Sequence, residues 1–281
     1  SDKDMIFKGN DGGSEINALT FDMSAAGSAV FGVGTAAQSL EGAIPQVQIH
    51  GSSSSTTRMV IGSFQANGNE GRMQFLKSRN ATIGSSTIVQ DGDNLGQITF
   101  CADDGTDYES VGARIMASID GTPGEDDTPG RLVFHTTPDG SQGTTERMRI
   151  NSAGAVFIGD TTNANMTQGL TINMGANDDA CIALKSSDVA HGITDRTETD
   201  TYLQIGKSSA TNGGASFYGL TEDEIAFYFE ADYTTSDTGK ATSAHGAFVV
   251  NARKKSGTGL GYPGTDDNIV VMRAGAASRF I

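Results

Sequence analysis

Seven short runs restrict what this chain can become: GRMQFLKSR (71–79), GQITFCAD (96–103), ARIMASID (113–120), RLVFHTT (131–137), IAFYFEAD (225–232), AFVVNARKK (247–255) and NIVVMR (268–273). Each is rich in β-branched or aromatic residues and bounded by Gly, Asn, Asp or Ser, the composition of strands and their turns. No stretch of similar strength keeps a helical period between caps. The chain is expected to be all-β.

One connection recurs. In ERMRINSAGAVFIG (146–159), Met148 and Ile150 share one side of a strand, NSAG supplies a turn in which Gly154 takes positive φ, and Val156 and Ile158 resume the alternation. An earlier copy, SAAGSAVFGVGT (24–35), follows Phe21 and Met23 and carries Val30 and Phe31. A third places Val271 and Met272 before AGAAS (274–278) and Phe280 after it. Phe31, Phe157 and Phe280 fall at nearly even spacing, which predicts two tandem units. Their interiors agree loosely: SVGARIMASIDGTPG with AHGAFVVNARKKSGTG, and QITFCAD with IAFYFEAD.

The apolar content is thin. Leu, Ile, Val and Phe together make 55 of 281 residues, just under the one-fifth level at which a charged chain tends to disorder. Strand patterning argues for order, so the missing burial has to come from elsewhere. A core shared between identical copies supplies it and covers strand edges that otherwise invite aggregation.

Charge excludes one class of partner. Thirty-four acidic against 19 basic residues leave a formal net charge of −15, which repels a phosphate backbone, so no nucleic acid is expected to bind. No apolar run is long enough for membrane insertion, no secretory leader is recognisable, and the abrupt ends read as those of a piece of a longer polypeptide. Cys101 and Cys181, eighty positions apart and without a ligand cluster, are expected as two thiols rather than a zinc site.

No motif carries catalysis. GLGYPG (259–264) spells the dinucleotide fingerprint, but Pro263 and then TDDNIVVMR lead into a strand rather than a phosphate-binding helix. ADDGTDYE (102–109) gathers Asp103, Asp104, Asp107 and Glu109 without calcium-loop spacing, and GEDDTPG (124–130) reads likewise as an acidic turn. His50, His135, His191 and His245 lack metal spacing, so neither metal nor cofactor is expected. Glu222 and Glu224 form the sort of carboxylate pair that glycoside hydrolysis uses, but such pairs abound in an acidic chain. In IAFYFEADY, alternation puts Phe227 and Phe229 on a core face and Tyr228 on the other. Because sugar rings stack on aromatic faces, Tyr228 and Tyr233 are the candidate glycan-stacking residues.

The run from Leu76 to Thr162, above all GDNLGQITFCADDGTDY and RMRINSAGAVFIG, resembles segments of bacteriophage tail-fibre proteins, many from marine tailed phages. IFKGNDGGSEINALTFDMSAAGSAVF (6–31) and IVVMRAGAASRFI (269–281) resemble repeats of the same proteins. The resemblance implies an elongated homotrimeric fibre of tandem β-rich units: residues 1–30 closing a preceding repeat, 31–156 a first unit and 157–281 a second. It implies a non-enzymatic virion component, assembled in the host cytoplasm, with other tail or baseplate proteins and a host surface glycan or outer-membrane receptor as partners. Such fibres often end in an intramolecular chaperone that cleaves itself off; this sequence would lie upstream of it and contains none of its autoproteolytic residues. An enzymatic tailspike, and a decoration protein or bacterial adhesin with fibre-like repeats, are the alternatives.

Overall fold

A computed structural model describes residues 3–11, 13–24, 28–32, 38–54, 57–235, 237–241, 246–256, 258–271, 273–274 and 277–278. The fold is all-β, with no helix among the described residues. The chain forms two compact units, Ser1–Cys181 and Ile182–Ile281.

The first unit holds two sheets. β1 (Met5–Asp11), β2 (Ser14–Asp22), β3 (Ser28–Gly32) and β4 (Val47–His50) lie in that order, antiparallel except that β3 and β4 run parallel. β5 (Asn94–Ala102), β6 (Ser110–Ile119), β7 (Gly130–Thr136), β8 (Thr145–Ile150), β9 (Val156–Ile158) and β10 (Leu170–Ile172) form a meander in reverse spatial order, again with the last pair parallel. Both sheets therefore end the same way, in an antiparallel hairpin followed by a parallel strand. Phe31 pairs with Ile49 in one and Phe157 with Thr171 in the other.

The sequence-predicted hairpin at 146–159 is β8–β9. Gly154 has φ +82°, a conformation that strains any residue with a Cβ. The turn is anchored from outside: Ser152 N–H donates to Asp120 Oδ2 at 2.8 Å, and Arg131 Nη1 donates to Asp120 Oδ1 at 3.0 Å. In the first copy, β2 and β3 pair through Asp22↔Ser28, and residues 25–27 of its turn lie outside the described residues. In the third, β16 (Arg273–Ala274) pairs with β17 (Ala277–Ser278); Met272 and Phe280 lie outside the described residues.

In the second unit, β11 (Ala180–Lys185), whose last four residues open the unit, stands beside β12 (Thr201–Ser209), which pairs antiparallel with β13 (Gly213–Gly219). β14 (Lys254–Ser256) and β15 (Gly259–Gly261) make a two-stranded ribbon. The GLGYPG fingerprint thus starts in a strand.

Three of the seven predicted runs are strands almost as bounded: 96–103, 113–120 and 131–137. The other four are corrected. Residues 71–79 and 225–232 form no strand, 247–255 contributes only the end that enters β14, and 268–273 only Arg273. A strand needs a neighbour's backbone to bond to, and among the described residues 71–77 and 225–232 make no backbone hydrogen bond to one.

Candidate functional site

The six-stranded sheet has two unlike faces. On one, Arg114, His135, Val133, Arg149 and Phe157 are cross-strand neighbours on β6 to β9. Val133 and Phe157 are almost fully buried there. Ion pairs close this face over them: Arg149 grips Glu146 with both nitrogens at 2.5 and 2.7 Å, Arg131 meets Asp120, and Arg114 meets Glu41 at 2.8 Å. The apolar stems of the arginines complete the cover.

The opposite face is apolar from edge to edge. Ile98 pairs with Ile115, and Phe100 follows Ile98 on the same side two residues along β5. Leu132 and Phe134 meet Ile150 and Met148, which in turn meet Val156 and Ile158; Leu170 and Ile172 finish the row. These side chains are uncovered: Phe100 is 55% exposed, Leu170 53% and Ile98 46%. Strand alternation has built a core half, and among the described residues the other sheet of the first unit does not pack over it.

His135 sits on the closed face with both ring nitrogens buried and unpartnered, beside an equally unpartnered Arg114 Nε. Burial is the main influence that pushes its pKa below 6.5; Glu146 opposes this, while Arg114 and Arg149 reinforce it. The folded state prefers the neutral ring. Its stabilising share is complete above pH 6.5 and is lost as pH falls from there toward the lower folded pKa. Denaturant unfolding between pH 7.5 and 5 should show stability declining with acid, less steeply in His135→Leu; equal slopes would assign the decline elsewhere.

The remaining candidates are scattered. Tyr228 and Tyr233 are 73% and 64% exposed, in a segment without strands. Phe227 and Phe229 are not core residues as alternation predicts: both are exposed and stack on each other at 5.8 Å, since a segment with no neighbouring strand has no inner face. His191 is fully buried, donating from Nε2 to the Thr201 carbonyl at 2.7 Å and accepting at Nδ1 from the Ile193 N–H. His245 lies outside the described residues. Glu222 and Glu224 are exposed.

Asp103, Asp104 and Asp107 spend their carboxylates on the N–H groups of their own loop, and Asp104 also accepts from Ser110 Oγ. Hydrogen bonding, from Ser110 first, holds the Asp104 pKa down. Among the described residues no group of three or more His, Cys, Asp or Glu is placed to hold a metal. Cys101 and Cys181 form no disulfide, and burial, then Glu41, pushes the Cys101 thiol pKa up. An open depression of about 720 Å³ at the β4 edge is lined by Leu40, Val47, Ile49 and Tyr108, with His50 and no carboxylate.

Sequence reasoning anticipated the apolar strands but not that their shared face lies open. A readable signal was the word Gly-x-[Ile/Leu]-x-Phe, present at 96–100 and 130–134, whose third and fifth residues all point to that face.

No family model and no curated protein matches the chain. Among solved structures it is similar to the carboxy-terminal domain of the bacteriophage T5 L-shaped tail fibre, with TM-score 0.34 and 12% identity over 59% of this chain and 83% of that one. It is similar too to that domain with its intra-molecular chaperone domain, with TM-score 0.33 and 11% identity over 77% of this chain and 72% of that one. Superpositions this loose carry no functional weight.

Proposed function

We propose that this chain is a non-enzymatic structural segment of a bacteriophage tail fibre, self-associating as a homotrimer and placing or providing contacts to a host-cell surface glycan or outer-membrane receptor. One observation carries the self-association: the apolar face of the six-stranded sheet lies uncovered in a chain of net charge −15. An exposed apolar sheet of that extent marks an interaction surface. A closed assembly of identical copies buries it against itself, with no second gene product needed. The fibre assignment rests on the phrases GDNLGQITFCADDGTDY and RMRINSAGAVFIG, and attachment by many weak contacts is what a multivalent fibre does well.

Light scattering on the purified chain tests the first part. A mass three times 29.1 kDa is expected; a folded single-chain species that persists at every concentration overturns it. Host-cell binding that stays intact while surface polysaccharide remains uncut separates a fibre from a polysaccharide-cutting tailspike.

A further inference from the structure

Residues 71–77 carry the sheet-forming word without a sheet. Gly71-Arg72-Met73-Gln74-Phe75 repeats the pattern of Gly96–Phe100 and Gly130–Phe134, with Met for the aliphatic third residue. In β5 and β7 that third residue and the fifth both lie on the apolar face. Here Met73 and Phe75 are more than half exposed and Leu76 is 97% exposed. No backbone hydrogen bond joins 57–77 to any other described residue.

The segment is held close to a sheet in a position that prevents pairing. A Cβ on Gly96 would stand 2.5 Å from Phe75 Cβ, so Phe75 rests on the apolar side of β5. Pairing requires lying alongside in the plane of the sheet, about 4.8 Å away. The outer edge of β5, last in the sheet order, has no partner among the described residues. Just past the arm, Arg79 is clamped to Asp93 at 2.6 and 2.8 Å, so Gly71–Lys77 is an arm tethered at its C-terminal end.

Charge names the partner. The stretch 71–79 contains Arg72, Lys77 and Arg79 and no acid, in a chain of net −15; Arg72 pairs with Glu70 and Arg79 with Asp93, which leaves the Lys77 ammonium for a partner's carboxylates. The acidic loop with Asp103, Asp104, Asp107 and Glu109 directly follows β5. Resting on its own apolar face, the arm also occupies surface that self-association buries.

We infer that Gly71–Lys77 is a latent strand donated to a second copy of this chain, where it pairs with the free edge of β5 beside the acidic β5–β6 loop. Donation extends that sheet by one strand, satisfies the arm's backbone groups and links the copies in addition to their face contacts. This rests on the self-association proposed above.

Three measurements on the full chain test it. Amide exchange at 72–76 is expected to slow at least 100-fold in the assembled form relative to the diluted, dissociated chain; equal rates overturn the inference. Gln74→Pro removes one N–H at an exposed position and should weaken association at least 10-fold, while Gln74→Ala leaves it unchanged; a proline variant that assembles like the parent overturns it. In a mixture of light and heavy isotope-labelled chains, carbodiimide cross-links should join Lys77 of one label to the acidic loop of the other, and same-label links alone overturn it. A parent chain that never assembles sinks the self-association reading, whereas assembly with an unprotected arm sinks only the donated strand.

Discussion

Phe100→Asp is expected to weaken self-association by at least ~100-fold, read as a shift of the assembly midpoint in sedimentation or light-scattering titrations. Phe100 stands in the row of apolar side chains that the sheet presents outward, more than half exposed in the single chain. A carboxylate is therefore tolerated while the chain is alone. Burying it unpaired against another copy costs several kcal/mol, and a closed assembly suffers the cost in every protomer. Gln97→Asp, on the other side of the same strand and exposed, is the matched control and should leave association unchanged. If both carboxylates act alike, net charge rather than the face is responsible.

Phe157→Ala should be the most damaging single truncation within the fold, at about 3–5 kcal/mol in equilibrium unfolding. Phe157 is 2% exposed on the ion-paired face, with Arg149 as its cross-strand neighbour on β8. Phe31 occupies the equivalent place in the earlier hairpin, also followed by a parallel strand, yet it is 42% exposed. Phe31→Ala should cost less, about 1–2 kcal/mol in the dissociated chain, because some two-fifths of the residue already meets water. Equal losses at the two positions would mean that the hairpins are packed alike, contrary to the structure.

Much of this could be read from residues in order. The pattern R-M-R-I before N-S-A-G and V-F-I after it contains a hairpin in its own chemistry: alternation places Met148 and Ile150 together, and Gly154 removes the Cβ that its positive φ would penalise. GQITF, ARIMASI and RLVFHT likewise announce strands that find each other in a meander, where each pairing is with the next run along the chain. GRMQFLK and IAFYFEAD have comparable local preference and form no strand, because a ladder needs a second backbone and propensity does not provide one.

The functional surface was harder to see. Tyr228 and Tyr233 drew attention by residue type, and the structure gives them exposure without a common scaffold. The apolar face was distributed over six strands, two or three residues at a time, and no single window displays it. His135 and Arg114 are 21 positions apart in sequence and become neighbours only through the β6–β7 register.

By itself, the sequence determined the all-β character, the repeated hairpins, the acidic balance and the poverty of oily side chains, since each is a local or additive property. Which runs pair, which faces are sealed by arginine and which stay open was decided only by tertiary structure. Strand alternation says that two faces exist; the register across neighbouring strands says which residues share one, and packing alone says whether anything covers it.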